Sequence, residues 1–380
     1  MTVSATPPPI ARLSRAAPFW LSLLLVPLAV VAMTQGGWWI AVLPLFGWGG
    51  FSLLDAIAGL ETRNEDPETP VEDLFWYRLV TLIWFPIQAV LMVFAVLTVP
   101  GAEDLSTVEK IGIFFGLGVI GGTVGINFAH ELMHQKNRLE RWLADLLLSS
   151  VLYSHFRSEH LLVHHRYVGT PRDPVTARYN EGFHRFFPRV LRQCFLSALG
   201  AEASRLRRKG ASPWALSNPF WRYAALQGAA LVIAVALGGA EGLALFLFCA
   251  FTAIWQLELV NYVEHYGLTR EHLGEGRYEH VKPRHSWNSA HKASNWLLIN
   301  LQRHSDHHFK PDRRFPLLQT YGDDEAPQLP HGYPVMTVFA MIPPVWRRVM
   351  NPRVRAWRRR FYPEIADWTP YKLGTNPMPR

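Results

Sequence analysis

The chain has 380 residues, of which 49% are hydrophobic, and its net charge is +8. Long apolar blocks alternate with basic ones, which is typical of a membrane protein, and the absence of any nucleic-acid-binding motif argues against nucleic acid as the partner of the positive charge. The two cysteines, Cys194 and Cys249, exclude a disulfide framework and a cysteine-ligated redox cluster. Any electrons that the protein uses must therefore come from a partner.

Six apolar segments are predicted to span the membrane, because about 20 apolar residues cross the hydrocarbon core. The first apolar block is too long for one helix and is interrupted by Gly36 and Gly37, so it is divided into two spans. The predicted spans are residues 18–34, 38–58, 78–100, 107–128, 219–238 and 241–261. The expected fold is all-α: a single polytopic domain over residues 1–380 with six transmembrane helices and a histidine-rich region on the cytoplasmic side.

The distribution of Lys and Arg predicts the orientation. Residues 129–218 hold 14 of them and the chain after 262 holds 18, whereas the connections near 35, 101–106 and 239 hold none. By the positive-inside rule, segments 129–218 and 262–380 and both termini face the cytoplasm.

Histidines are concentrated in one half of the chain, since 15 of the 16 lie between residues 130 and 308. Four dense groups read HELMH, EHLLVHH, NYVEHYG and QRHSDHH. Spacings of three and four place imidazoles on one helical face, so each group can supply two ligands to one metal, and His165, rotated by about 100°, can reach a second metal. The candidate ligands are His130, His134, His160, His164, His165, His265, His304, His307 and His308. Imidazoles bind iron, copper or zinc, and the spacing does not choose among them.

Two other functions remain open at this point. HELMH matches the zinc site of a metalloprotease with Glu131 as general base, which would make the protein an intramembrane zinc protease. That site needs only one further ligand, so it would leave about six clustered histidines unexplained. A metal transporter would need ligands along the spans rather than at their cytoplasmic ends.

HELMH, EHLLVHH, NYVEHYG and LQRHSDHH, in this order and separation, resemble the integral-membrane alkane 1-monooxygenases within the membrane desaturase and hydroxylase superfamily. The resemblance implies that the nine histidines hold two Fe ions in a non-haem di-iron centre. It also implies hydroxylation of the terminal methyl group of n-alkanes by O2, with electrons from NAD(P)H through rubredoxin reductase and rubredoxin, in the bacterial inner membrane. The nearest alternative is hydroxylation of methyl groups on aromatic rings, as in xylene monooxygenase. The sequence departs from the family pattern at Val163 and Gln135, and neither change removes a ligand.

Acidic residues lie beside every histidine group, namely Glu131, Glu159, Glu264 and Asp306. Metal-bound imidazoles commonly donate their second N–H to a carboxylate, and we expect each acid to serve a histidine of a different group, because adjacent helical residues do not face each other. Glu258 and Asn261 share the helical face of His265 inside the sixth span, where a carboxylate by default marks function.

The helical face of His130 continues into the membrane through Ile126, Thr123, Gly122 and Val119. These small and apolar residues are predicted to bind an alkyl chain, and close helix packing explains them equally well. Tryptophans at 38, 39, 48 and 84 are expected to anchor or pack the helices rather than contact substrate. His280 and His285 are expected to support the site or a partner, and the basic stretch 353–360 to face anionic headgroups or an acidic electron-transfer protein.

Overall fold

The computed structural model describes residues 9–373, and within them every regular element is helical. The all-α prediction is confirmed. The helices used below are α1 (Leu13–Gln35), α2 (Gly37–Ala58), α3 (Val71–Thr98), α4 (Thr107–Met133), α5 (Arg138–Ser150), α6 (156–167), α7 (Phe183–Arg208), α8 (Pro219–His265), α9 (Lys292–Leu297), α10 (His304–Phe309), α11 (Tyr333–Met341), α12 (Pro343–Phe361) and α13 (Thr369–Leu373).

Five of these helices, α1 to α4 and α8, are long and apolar enough to cross a membrane. The 47 residues of α8 are broken at Gly239, whose φ of 61° is the left-handed conformation that glycine adopts without strain. A Cβ on Gly242 would lie 3.4 Å from the carbonyl oxygen of Ala234, so the chain doubles back as a helical hairpin. The predicted spans 219–238 and 241–261 are the two arms of this hairpin, and the six predicted segments fall in five helical runs.

Helix α4 lies at the centre of the membrane helices, since 78% of its most apolar stretch is buried, against 22–39% in the other four. It begins with a capping box between Ser106 and Glu109. Its glycines allow close contact with α8: a Cβ on Gly118 would lie 2.5 Å from Cβ of Thr252. Residues 121–126 form a π-helical turn, which rotates the end of α4 relative to its beginning.

The remaining helices form a layer on the membrane face where α4 and α8 end. The end of α2 is tied to this layer, because Asp55 Oδ1 accepts a hydrogen bond of 2.8 Å from the backbone N–H of Ser294. A second buried aromatic core holds the end of α8 against α12, with ring centroids of Tyr262 and Trp346 5.1 Å apart. These contacts fix the loops that carry the histidines.

Candidate metal centre

Four elements bring the nine predicted histidines together: the end of α4, helix α6, the end of α8, and α10. Their side chains form two groups, in each of which one nitrogen from every ring lies within 4.8 Å of the others. We call them the five-histidine group and the four-histidine group. The first contains His130, His134, His160, His165 and His307, and the second contains His164, His265, His304 and His308.

The division of EHLLVHH between the groups differs from the expected one. His160 shares its group with His165, whereas His164, at the helical spacing of four, belongs to the other group. Residues His160–His164 form a π-helical turn, in which positions five apart align instead of positions four apart. The pairing of His304 with His308 keeps the spacing of four.

The nitrogen positions fit metal ligation. His160 Nε2 lies 3.0 Å from His130 Nε2, 3.1 Å from His134 Nε2 and 2.9 Å from His165 Nε2. Two ligands at right angles on a metal with bonds of about 2.1 Å are separated by about 3.0 Å. The inner nitrogen of His164 is buried and has no hydrogen-bond partner in the structure. Each group therefore offers converging nitrogens to one metal ion.

Burial keeps imidazoles of both groups in the neutral form that binds metals. It lowers the pKa of His134 to about 3 and holds the pKa values of His160, His165, His307 and His308 well below the usual range. The neighbouring imidazoles lower these pKa values further, since two adjacent cations would repel each other. These rings therefore offer lone pairs to a metal ion instead of positive charges.

Asp173 orients His164 and was not found from the sequence. Its Oδ2 lies 3.0 Å from His164 Nδ1 and accepts a hydrogen bond of 2.6 Å from Thr176 Oγ1, while Oδ1 accepts one of 3.0 Å from the N–H of Val175. A carboxylate behind a ligating imidazole fixes the tautomer and the ring plane. Asp173 lies in a loop nine residues after His164, so no helical spacing indicated the contact.

Glu264, from the sequence motif NYVEHYG, is the predicted acid that reaches a histidine of a different motif, QRHSDHH. Its Oε2 lies 3.3 Å from His304 Nε2, the same nitrogen that is 3.1 Å from His265 Nε2. Glu264 therefore points into the four-histidine group instead of standing behind a ring. Tyr333, at the start of α11, lies beside this carboxyl group and was not predicted from the sequence.

Glu258 forms hydrogen bonds with Asn261 and with a tyrosine rather than with a histidine. Asn261 Nδ2 donates to Glu258 Oε2 at 3.1 Å, and the hydroxyl of Tyr153 donates to Glu258 Oε1 at 2.8 Å. All three side chains are buried. The network joins α8 to the loop that precedes α6 and so supports the position of the second histidine segment.

The other predicted acids have different surroundings. Glu131 accepts a hydrogen bond of 3.1 Å from Gln135, the residue at which this chain departs from the family pattern. Asp306 accepts hydrogen bonds from Arg313 and from Tyr321, and it holds the loop after α10. Glu159 is fully buried, both its carboxyl oxygens lack a partner, and burial raises its pKa well above the usual value. The structure places none of these three carboxyl groups against a histidine.

A narrow cleft of about 30 Å³ lies between α2, α4, α8 and α11. Val119, Gly122 and Thr123 line it as predicted positions, while Ile126 is fully buried in the hydrophobic core instead. The π-helical turn at 121–126 explains the difference, because an α-helical face cannot be extended through it. Trp48 also lines the cleft, although it was expected to be a packing or anchoring residue.

Alkyl-chain binding and close helix packing were the two explanations for the small residues on α4, and both apply at Gly122. It lines the cleft, and a Cβ there would lie 2.6 Å from the carbonyl oxygen of Ala253 on α8. Asn127, Val260 and Leu301 also line the cleft, and each lies three to five residues before a histidine of the centre. The cleft is therefore formed by the same chain segments that carry the histidines.

His285 lies outside both groups. It is buried, and its Nε2 lies 2.7 Å from the hydroxyl of Tyr362 and 3.2 Å from Glu279 Oε1. These contacts attach the loop after α8 to the end of α12. His285 thus has a packing role in the layer rather than a place at the centre.

Sequence comparison with known proteins identifies the family. Residues 110–340 match the fatty acid desaturase family model. The chain is 38% identical over 351 residues to alkane 1-monooxygenase 2 of Alcanivorax borkumensis, covering 89% of this chain and 90% of that one. It is 37% identical over 342 residues to alkane 1-monooxygenase of Pseudomonas putida, with 89% and 84% covered. The chain belongs to the alkane 1-monooxygenase family.

The alkane 1-monooxygenase family is related to enzymes that act on other hydrocarbons. The chain is 28% identical over 347 residues to the xylene/toluene monooxygenase hydroxylase component XylM of Pseudomonas putida, with 90% of each chain covered. Membership makes this protein a membrane-bound monooxygenase. The family match also excludes the metalloprotease hypothesis, which required Glu131 as a base beside a single zinc ion.

Proposed function

We propose that this protein is a non-haem di-iron monooxygenase that converts n-alkanes and O2 into primary alcohols with electrons from rubredoxin. The observation that carries the proposal is the convergence of nine imidazoles in two groups, on the chain segments that also form an apolar cleft. The five-histidine group would hold one iron and the four-histidine group the other. Bound iron supplies O2 activation and cleavage of an unactivated C–H bond, which no acid, base or nucleophile of the chain can perform.

The protein's own residues bind and orient the substrate in this proposal. Val119, Leu257 and Leu301 offer apolar walls to an alkyl chain, and the cleft of about 30 Å³ must widen to admit it. The terminal methyl group would then lie beside Asn127 and Val260, about one turn from His130 and His265. Asp173 holds His164 in place, Glu264 faces the inner nitrogen of His304, and Asp306 supports the loop after α10.

Methyl groups on aromatic rings are the second candidate substrate, which the relative acting on xylene and toluene favours. The higher identity to alkane monooxygenases, 37–38% against 28%, makes the alkane the first choice. A mixture of n-alkanes and p-xylene, offered with ¹⁸O₂ to iron-loaded protein and analysed by gas chromatography and mass spectrometry, distinguishes them. Labelled primary alkanols support the proposal, and labelled methylbenzyl alcohol alone refutes it.

The electron donor is proposed to dock at a polar cleft of about 100 Å³ on the same face. Asp173 and Thr176 line the cleft, so it lies one hydrogen bond from His164. Arg178 and Arg358 also line it, and positive charge attracts a small acidic redox protein. The two cysteines of the chain are buried and unpaired, which leaves the electrons to a partner.

Charge reversal tests this docking site. Arg178→Glu is expected to raise KM for rubredoxin about tenfold at low salt, with a smaller effect at high salt, because screening weakens the attraction. Arg208→Glu, at the far end of α7, is the matched control. Alcohol formation driven by a chemical reductant should be equal in both variants and wild type. Equal KM values in the two variants would contradict the docking site and leave the alkane assignment intact.

The orientation of the protein is part of the proposal. Both termini and the histidine layer are placed on the cytoplasmic side of the inner membrane, as the positive-inside rule predicts. The layer carries most of the Lys and Arg residues, in segments 129–218 and 262–380. A soluble electron donor would then reach the centre from the cytoplasm.

A further inference from the structure

Another cavity, of about 480 Å³, lies at the edge of the histidine layer. Its walls come from the beginning of α1, the chain after α2, the beginning of α3, and α9. Successive spans alternate in direction, so the start of α1, the end of α2 and the start of α3 lie on one face of the membrane. The cavity is therefore at the level of the lipid headgroups.

The charges that line the cavity are mainly positive. Four are cationic and two are acidic, which leaves an excess of two positive charges: Arg15, Arg63, Lys292 and Arg303 against Glu61 and Glu65. Two of the ion pairs among them are long and partly solvated, at 3.6 Å for Arg15 with Glu65 and 3.5 Å for Lys292 with Glu61. Such pairs are weak, so their cations can turn toward an anionic ligand.

Arg303 provides a buried donor in the wall. It is 6% exposed, and its Nη1 donates to the carbonyl oxygen of Leu318 at 2.6 Å while its Nη2 donates to that of Arg63 at 3.1 Å. Its Nε has no partner. The acceptors of both Nη atoms are neutral carbonyl oxygens, so the guanidinium charge is not neutralised by these bonds and adds to the positive potential of the cavity.

Aromatic rings also line the cavity. They belong to Phe19 on α1, Tyr77 on α3 and Trp296 on α9, and the Lys292 ammonium lies 5.9 Å from the centre of the Trp296 ring. Aromatic rings favour the boundary between headgroups and acyl chains. The cavity thus combines cationic and aromatic side chains, which suit the two parts of a phospholipid headgroup region.

We propose that this cavity binds the headgroup of an anionic phospholipid, with its phosphodiester at Arg15 and Lys292 and its glycerol backbone at Trp296. Basic pockets between transmembrane helices on the cytoplasmic side bind anionic headgroups. The lipid would brace the chain after α2 against Arg303, which directly precedes the ligand candidate His304. The proposal does not depend on the hydrocarbon that the enzyme oxidises.

Native mass spectrometry of protein released from nanodiscs tests the site. The nanodiscs contain equal amounts of phosphatidylglycerol and phosphatidylethanolamine, and retained lipids are identified in wild type and in Arg15→Gln/Lys292→Gln. We expect wild type to retain one phosphatidylglycerol, enriched at least fivefold over phosphatidylethanolamine, and the double variant to lose that enrichment. Arg208→Gln/Lys209→Gln, which removes two exposed cations elsewhere in the layer, should behave as wild type.

Three results would overturn the proposal: no enrichment in wild type, equal enrichment in the cavity variant, or displacement of the lipid by millimolar inorganic phosphate, which would indicate a free-anion site. Thermal unfolding and metal content of each variant show whether it is folded. Lys292→Arg keeps the charge and should retain the lipid. Loss of the lipid from the Lys292→Arg variant would therefore also contradict the proposed site.

Discussion

Replacing Asp173 by asparagine is expected to weaken metal binding in the four-histidine group alone. The carboxylate accepts three hydrogen bonds, from His164 Nδ1, Thr176 Oγ1 and the N–H of Val175. Asparagine has the same shape but only one acceptor oxygen. If that oxygen faces His164, its amide NH₂ faces the N–H of Val175, and two donors then oppose each other.

The magnitude follows from these contacts. A hydrogen bond to a charged acceptor contributes about 1.5–3 kcal/mol and a neutral one about 0.5–1.5 kcal/mol, so the substitution loses about 1–2 kcal/mol at His164. Loss of the Val175 contact adds to this, because Asp173 is 3% exposed and water cannot replace the bond. We expect affinity for Fe(II) in the four-histidine group to fall about 10- to 100-fold.

Anaerobic Fe(II) titration, with a competing chelator, measures the two affinities. Wild type should bind two ions in a narrow range, whereas Asp173→Asn should bind one as before and the second only at higher free iron. Glu202→Gln is the control, because Glu202 is a buried carboxylate that bonds Ser158 and Arg205 instead of a histidine. Equal weakening of both ions, or no weakening, would refute the assignment of Asp173 to His164.

Three further predictions follow from the site and its supports. Chelation should lower the midpoint of thermal unfolding, and the midpoint of the metal-free protein should fall further as pH drops below about 6.5. The reason is that the unfolded chain takes up protons that buried imidazoles such as His134, with a pKa of about 3, do not. At about pH 5.5 the folded state loses about 1.4 kcal/mol of stability per buried histidine, and a pH-independent midpoint would contradict this prediction. Gly118→Ala should destabilise the protein by about 1–3 kcal/mol, measured by thermal unfolding, because the new Cβ would lie 2.5 Å from Thr252, whereas unchanged stability would mean that α4 and α8 can separate. Val119→Phe should fill part of the cleft and shift the product distribution over an n-alkane series toward shorter chains, and an unchanged distribution would place the substrate elsewhere.

The sequence was most informative where one physical rule dominated. Apolar length predicted the spans, and Gly239 turned two of them into a hairpin within one helical run, which length alone does not reveal. The histidine groups were recognisable because two of them follow predicted spans and the other two lie in segments predicted on the same side of the membrane, so nine clustered imidazoles had few structural explanations. The structure collects those nine in its two groups.

The sequence was least informative where helical regularity fails or contacts come from loops. Extending a 3.6-residue period through residues 121–126 placed Ile126 in the cleft, and the same period paired His160 with His164. Neither π-helical turn has a sequence signal that we recognise. Asp173 approaches His164 through a loop, and Tyr153 approaches Glu258 over 105 residues of chain, so both contacts required the tertiary structure.

The central claim is that the histidine layer holds two irons side by side in unlike ligand sets. Mössbauer spectroscopy of protein reconstituted anaerobically with ⁵⁷Fe, combined with iron quantification, tests it most directly. We expect two irons per chain and two ferrous signals of equal area, one from the five-histidine group and one from the four-histidine group. A single iron per folded chain would contradict two sites. A single ferrous signal that is lost as a whole in Asp173→Asn would contradict them as well.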